Sequence, residues 1–270
     1  MTRKAGPSRF PLGLERVGSA GPKVQTDVLR PQRRLHDPAS KQLPSGLGLD
    51  SAAVRTRMCD RLRAAGIRDG TVLAVMASVA RHEFVDTALA NQAYEDTSLP
   101  IGHGQTISKP SVVARMLSLL RERPGAAPGD SLGDVLEIGT GCGYQTALLA
   151  LLARQVFSIE RLQALHQKAR EHLAGRRGHH VRLVFGDGRL GHAPNAPFDC
   201  IIAAAGGEDV PAAWLDQLAD GGRLVAPTHN ARSASQRLLV VDKRDGVYRR
   251  QELDAVHFVP LKSGIQSIQA

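Results

Sequence analysis

Residues 135–144 read Val-Leu-Glu-Ile-Gly-Thr-Gly-Cys-Gly-Tyr, an apolar run that leads into glycines at alternate positions. The residues that follow have helical spacing, so the stretch predicts a strand, a tight glycine turn and a helix. Glycine lets the backbone turn sharply and approach a ligand closely, and a helix N-terminus presents unpaired N–H groups. We therefore expect a ligand to bind where this strand ends.

The chain around this stretch alternates between strand and helix patterns. Strands are predicted at residues 134–138, 156–159, 181–185, 198–204 and 223–226, and helices at 144–152, 162–173 and 211–218. Such alternation predicts a doubly wound, mostly parallel α/β sheet with helices on both faces. Strands at 237–242 and 247–252 flank the turn signal Lys-Arg-Asp-Gly, and a last strand is predicted at 256–259, so we expect an antiparallel C-terminal edge.

Three helices are predicted before the sheet, at residues 51–65, 71–80 and 111–121, with a loop at 91–110. Asp50 or Ser51 is the expected cap of the first helix. These boundaries divide the chain into a basic extension, residues 1–50, and one domain, residues 51–270. Within that domain, a helical segment at 51–123 on the substrate side precedes a cofactor-binding α/β core at 124–270.

The composition sets limits on the class of protein. Of the 270 residues, 42% are hydrophobic and 23% are charged, which is typical of a globular enzyme. No apolar run approaches the roughly 20 residues of a membrane-spanning helix, so we expect no membrane partner. Cys59, Cys142 and Cys200 lack the spacing of a disulfide framework or a zinc site, which predicts a reducing, cytoplasmic location and no metal. Without a heptad repeat, a monomer is expected.

The formal charge of +9 is concentrated in residues 1–50, which hold nine Lys or Arg residues against four acids. This extension is rich in Pro and Gly and has no sustained period, so we expect it to be disordered. Only one aromatic residue, Phe10, lies among its charges, so we expect no nucleic-acid partner. A mitochondrial transit peptide stays open, although the prolines argue against the amphipathic helix that it needs.

The glycine stretch favours one cofactor over another. The dinucleotide fingerprint requires a third glycine where this chain has Tyr144, or Thr146 in the alternative register, so nicotinamide chemistry is disfavoured. S-adenosylmethionine carries a sulfonium cation and no phosphate, and Glu137 within the stretch suits a cationic ligand. Glu160 ends the next strand, where it can accept hydrogen bonds from ribose hydroxyls. Asp187, between two glycines after the third strand, can bind an adenine amino group.

Each of these features also has a simpler interpretation. Glu160 beside Arg161 could be an exposed acid, and residues 186–188 could be only a turn. Their order, each directly after a predicted strand, favours a methyltransferase cofactor site.

Several stretches together resemble the protein-L-isoaspartate (D-aspartate) O-methyltransferase family, over about residues 55–262. They are Arg-His-x-Phe-Val at 81–85, Leu-Pro-Ile-Gly-x-Gly-Gln-Thr-Ile-Ser at 99–108, Glu-Ile-Gly-Thr-Gly-x-Gly-Tyr-Gln-Thr at 137–146, Gly-Asp-Gly at 186–188 and Phe-Val-Pro-Leu at 258–261. The Gln-Thr-Ile-Ser element is specific to this family, whereas most class I methyltransferases share the glycine stretch.

The resemblance implies a Rossmann-like methyltransferase fold and the cofactor S-adenosylmethionine. It implies that Ser108 is the catalytic residue and that Thr106, Ile107 and Ser108 hold the substrate. Ser108 also has a simpler interpretation, as the N-cap of the helix that follows. The expected cofactor-binding residues are Glu137, Gly139, Thr140, Gly141, Gly143, Glu160, Asp187 and Gly188.

The expected reaction is methyl transfer to the free α-carboxylate of an isoaspartyl residue in damaged proteins and peptides. A carboxylate with a pKa of about 4 is already ionised at neutral pH, so it needs alignment and no general base. Two alternatives remain: another acceptor, such as a small carboxylate or RNA, and a cofactor-binding protein without catalysis. Two loops keep the first open, because residues 204–208 and 227–229 depart from the family pattern.

Overall fold

The computed structural model describes residues 52–127, 129–176, 178–229 and 235–268. The helices within them are α1 (Ala52–Ala64), α2 (Gly70–Ser78), α3 (Pro110–Arg121), α4 (Tyr144–Ala150), α5 (Gln163–His172) and α6 (Ala212–Asp216). The strands are β1 (Leu99–Gly102), β2 (Gln105–Ile107), β3 (Asp134–Ile138), β4 (Gln155–Glu160), β5 (Val181–Phe185), β6 (Phe198–Ala203), β7 (Leu218–His229), β8 (Gln236–Arg244) and β9 (Val247–Val256).

Strands β3–β9 form one sheet in the order β5-β4-β3-β6-β7-β8-β9. The first five strands in this order are parallel, and β8 and β9 are antiparallel to their neighbours, as the sequence predicts. The chain moves outward from β3 to β5 and then returns to the other side of β3 with β6. This reversal opens a crevice at the carboxyl ends of β3 and β6, where open α/β sheets bind ligands.

Two hydrophobic cores form, one on each face of the sheet, because side chains alternate along a strand. In β3, Val135 belongs to one core, whereas Leu136 and Ile138 belong to the other. The first core also contains buried residues of α1–α4, and the second contains Trp214 of α6. This alternation directs the intervening Glu137 towards the side of α4.

Three local predictions differ from the structure. The predicted loop 91–110 contains the β1–β2 hairpin, in which His103 and Gly104 form a two-residue turn with φ of 54° and 67°. Positive φ at both turn residues matches the twist of a hairpin. The segment 51–123 is therefore not wholly helical. Strand β7 is longer than predicted, and the strand predicted at 256–259 is wrong, because the chain leaves the sheet after Val256.

The predicted helices of the N-terminal segment agree with the structure to within two residues. Asp69 caps α2 by accepting hydrogen bonds from the N–H groups of Thr71 and Val72. The proposed caps Asp50 and Ser51, and the whole basic extension 1–50, lie outside the described residues. No helix in the described part of the chain combines the length and apolar character needed to span a membrane.

Candidate active site

A cleft lies at the carboxyl ends of β3, β4 and β6 and encloses about 660 Å³, including space open to solvent. We call it the main cleft. Its walls include Gly139, Gly141 and Glu160, together with Gly188 after β5 and residues 259–262 near the C-terminus. The structure therefore places the glycine loop and one predicted carboxylate in one cleft.

Glycine is required at the edge of this cleft for steric reasons. Gly141 has φ of 56°, and a Cβ there would lie 3.2 Å from Cδ1 of Ile101 in the hairpin. A Cβ on Gly188 would lie 2.6 Å from Cγ2 of Ile138. Each residue leaves bare backbone against the cleft, where a ligand can approach closely. Gly143, in contrast, does not line the main cleft and is the N-cap of α4, with φ of 91°.

Glu160 is nearly buried, yet its carboxylate contributes to the main cleft. Oε2 accepts a hydrogen bond from the N–H of Gly141 at 2.9 Å, and Oε1 accepts one from the N–H of Leu162 at 2.9 Å. Burial raises the pKa of Glu160 above its usual range. The side chain thus joins the glycine loop to the end of β4, where ribose hydroxyls were expected to bind.

Glu137 lies beneath the glycine loop and does not line the main cleft. It is fully buried, and its carboxylate accepts hydrogen bonds from Ser158 (2.6 Å), Thr146 (2.5 Å) and Gln145 (3.1 Å). Burial raises the pKa of Glu137 to about 7, although these hydrogen bonds act in the opposite direction. Any influence on a ligand therefore passes through the residues that Glu137 holds in place.

Thr140 contacts the buried hydrogen-bond network of Glu137 and also borders a cavity. Its hydroxyl lies 2.6 Å from that of Ser158, within the same buried network, while the residue also contributes to a second cavity described below.

Asp187 lies next to the cleft, but its carboxylate is engaged by backbone. It accepts hydrogen bonds from the N–H groups of Arg189 (2.9 Å) and Gly264 (2.5 Å). Asp187 therefore holds the C-terminal tail, residues 259–268, against the end of β5. The tail also contacts the segment after β4, because the N–H of Gln266 donates to the carbonyl of Arg161 at 2.8 Å. Sequence reasoning noticed residues 258–261 only as a family stretch and missed that residues 259–262 form part of the cleft wall.

Ser108 lies between two other spaces. The inner cavity, about 330 Å³, is lined by Thr106, Ile107, Ser108, the glycine loop and Tyr144, and it shares Thr106 and Gly141 with the main cleft. The outer groove is lined by residues 96–98, Ser108, Lys109, Val112 and residues 255–258. The three predicted substrate-binding residues therefore meet beside the glycine loop.

The hydroxyl of Ser108 makes no hydrogen bond with any described residue, and the residue is half-buried. The N-cap of α3 is Lys109, followed by Pro110, so the alternative interpretation of Ser108 as a cap is wrong. The carbonyl of Ser108 accepts a hydrogen bond from Arg81 at 2.7 Å. Arg81 was noticed only as part of a family stretch, and its buried position could not be read from neighbouring residues.

The two departing loops contact each other, because the N–H of His229 donates to the carbonyl of Gly207 at 2.8 Å, but only the first loop lines the main cleft. Ala204 and Ala205 line the main cleft, whereas none of residues 227–229 lines a cavity among those described. A Cβ on Gly206 would lie 2.6 Å from Nε2 of Gln236, whose side chain exchanges two hydrogen bonds with the backbone of Phe258. Glycine at 206 therefore leaves room for a contact that holds the segment before the tail.

The site accommodates S-adenosylmethionine. Bare glycine backbone borders the cleft, Glu160 supplies a carboxylate, and Ile138, Ile159 and Leu165 supply apolar walls for a flat base. The parallel sheet, its glycine loop and these groups define a class I methyltransferase that depends on S-adenosylmethionine. The order and directions of the strands confirm the predicted fold class.

The family model described as protein-L-isoaspartate (D-aspartate) O-methyltransferase matches residues 53–266, so the chain belongs to that family. A protein-L-isoaspartate O-methyltransferase of Methylibium petroleiphilum is 60% identical, with 95% of this chain and 96% of that protein covered. One of Leptothrix cholodnii is 59% identical, with 95% and 94% covered. This coverage exceeds the share of residues 51–270, so these relatives match part of the basic extension as well.

A solved structure from Plasmodium falciparum, a protein-L-isoaspartate O-methyltransferase in complex with S-adenosyl-L-homocysteine, has the same fold. Its TM-score is 0.66 at 24% identity, with 77% of this chain and 98% of that chain covered. A second structure of a protein with that name has a TM-score of 0.67 at 24% identity, with 78% and 67% covered.

Proposed function

We propose that this chain transfers a methyl group to the free α-carboxylate of L-isoaspartyl residues, and of D-aspartyl residues, in damaged proteins and peptides. The observation that carries the proposal is the position of Ser108. Its unbonded hydroxyl lies where the outer groove, open to a polypeptide, meets the inner cavity beside the glycine loop.

The cofactor is held in this proposal by Gly139, Thr140 and Gly141 of the loop, by the carboxylate of Glu160 and by the bare backbone of Gly188. S-adenosylmethionine, when bound, supplies a methyl group on a positively charged sulfur. Glu137 and Gly143 support the loop from beneath and from its end. Asp187 keeps the tail against the cleft and remains a candidate for the adenine amino group.

The residues around Ser108 align the substrate carboxylate with the methyl group. The substrate carboxylate is ionised at neutral pH, so no group has to remove a proton from it. Ser108 donates a hydrogen bond to one carboxylate oxygen and leaves the other free to attack, while Thr106 and Ile107 shape the wall beside it. The methyl ester that forms loses methanol readily. The following backbone nitrogen closes a succinimide, which can reopen to normal aspartate.

The test uses methyl-labelled S-adenosylmethionine and three peptides that differ only in L-isoaspartate, D-aspartate or L-aspartate. We expect base-labile label on the first two peptides and none on the third. Ser108→Ala is expected to lower kcat roughly tenfold to hundredfold, since it removes one hydrogen bond to a charged group. Ser118→Ala is the matched control, because Ser118 is a buried α3 serine whose hydroxyl has no partner among the described residues.

Two outcomes would contradict the proposal. Label on no peptide, with S-adenosyl-L-homocysteine binding intact by calorimetry, would transfer the assignment to another acceptor and make the loop at 204–208 the first place to look. Unchanged kcat in Ser108→Ala would remove Ser108 from the reaction while leaving the family activity in place.

We also propose that the enzyme acts in the cytoplasm as a monomer. The three cysteines are buried and free, which suits a reducing compartment. The large apolar side chains that are exposed are distributed over several elements, for example Leu151 after α4 and Val247 on β9. Light scattering after size-exclusion chromatography tests the monomer directly, since a dimer would double the mass.

A further inference from the structure

The side chain of Arg81 connects several segments behind Ser108. It is fully buried, in the 3-10 helix Arg81–Phe84. Nε donates a hydrogen bond to the carbonyl of Ala93 at 2.7 Å, and Nη2 donates to the carbonyl of Ser108 at 2.7 Å. The guanidinium carbon lies 4.9 Å from the ring centroid of Tyr144, the first residue of α4. One cation therefore holds the Ser108 segment against the start of the helix that follows the glycine loop.

Among the described residues, this cation has no ion-pair partner. No carboxylate lies within 4 Å of it, and Asp96 attracts it only from farther away, whereas Arg121, also largely buried, pairs with Asp69 at 2.7 Å. Within the same residues, neither Nη1 of Arg81 nor the hydroxyl of Tyr144 has a hydrogen-bond partner. Burial of a charge without an ion-pair partner costs free energy. Hydrogen bonds to two carbonyls alone therefore do not account for a buried cation at Arg81.

The position of the inner cavity explains why a buried charge is present here. Two of the three residues that contact the guanidinium, Tyr144 and Ser108, line that cavity. An ionised carboxylate at Ser108 would bring a negative charge close to the guanidinium, in a region of low dielectric where the attraction is strong. The substrate would thus bring a carboxylate closer to this cation than any carboxylate of the described residues.

We propose that Arg81 is a positioning residue for methyl transfer. It fixes the backbone of Ser108 through the carbonyl, and it places a buried positive charge behind the cavity that favours an ionised carboxylate. This inference rests on the proposed function. Arg81 itself has no exposed surface, so it acts through Ser108 and Tyr144 and does not touch the substrate.

The experiment compares Arg81→Gln, Arg81→Lys and the control Arg121→Gln. Gln keeps an amide donor and removes the charge, while Lys keeps the charge and loses the planar fork that reaches two carbonyls. Arg121→Gln removes a buried cation that contacts Asp69, far along α3 from Ser108. Each variant is assayed for thermal stability, for S-adenosyl-L-homocysteine affinity by calorimetry, and for kcat and KM with the isoaspartyl peptide.

We expect Arg81→Gln to lower kcat roughly hundredfold and Arg81→Lys roughly tenfold, because displacement of an aligned group by about 1 Å has effects of this size. The affinity for S-adenosyl-L-homocysteine should stay within about threefold, since Arg81 does not line the main cleft. Arg121→Gln should lower the melting temperature and leave kcat unchanged. A purely structural role for Arg81 would instead make kcat follow stability in all three variants.

Either Arg81 variant alone is sufficient to overturn the inference. A folded Arg81→Gln with kcat within twofold of wild type would do so, and if that variant does not fold, a folded Arg81→Lys with wild-type kcat would do the same. If Arg121→Gln loses as much kcat at equal destabilisation, the role of Arg81 is structural. Absence of turnover in the wild type contradicts the proposed function instead, so the two failures are distinct.

Discussion

Replacement of Glu137 by Gln tests how a buried acid is accommodated beneath the glycine loop. The carboxylate is fully buried, and no Lys, Arg or His of the described residues pairs with it. Its hydrogen bonds come from the Ser158 and Thr146 hydroxyls and from the Gln145 amide. Gln has nearly the same shape, and the hydroxyls can rotate to accept from its amide, so the variant should fold.

The magnitude follows from the pKa of this one group. Burial raises the pKa of Glu137 from 4.5 to about 7 in the folded state. Between these values the folded protein binds a proton that the unfolded chain releases, so the free energy of unfolding falls as the pH rises. At about 1.4 kcal/mol per pKa unit, wild type should lose about 3 kcal/mol from this group across that window.

The assay is urea unfolding followed by circular dichroism, for wild type and Glu137→Gln, at intervals from pH 5 to pH 8. Gln does not titrate, so the difference between the two proteins isolates Glu137 from all other groups. We expect wild type to lose about 3 kcal/mol relative to the variant as the pH rises. A difference that stays constant, or one that changes in the opposite direction, would refute the assignment of a raised pKa.

Three further substitutions test the cleft and the core. Gly188→Ala places a Cβ 2.6 Å from a methyl group of β3, so it should lower the free energy of unfolding by about 1–3 kcal/mol and weaken S-adenosyl-L-homocysteine binding. Calorimetry measures both effects. The control Gly70→Ala, with open space around it, should show neither. Leu136→Ala removes a fully buried side chain and should lower the free energy of unfolding by about 2–5 kcal/mol in urea; a loss below 1 kcal/mol would argue against this packing. Asp187→Ala should cost about 1 kcal/mol and speed amide exchange at Gly264, while unchanged exchange would exclude the contact.

The order of the elements and the mostly parallel sheet follow from local patterns in the amino-acid sequence. Apolar runs of strand length, alternating with helical periods, predicted β3–β6 nearly residue for residue, because these signals are contained within each segment. The glycine stretch at 139–143 predicted the tight turn after β3, since a positive φ is a property of the local backbone. The catalytic role of Ser108 was implied only by the resemblance of residues 99–108 to the family, and it stays a prediction.

Which polar groups are buried, and what they contact, depends on the packing of segments that are distant in the chain. Glu137 belongs to the predicted cofactor stretch, yet the alternation of β3 directs it under the loop, towards Thr146 and Ser158. Arg81 reaches Ser108 across 27 residues of chain, and the tail reaches Asp187 across 77. Such contacts depend on where distant segments pack, and no local pattern of residues encodes that packing.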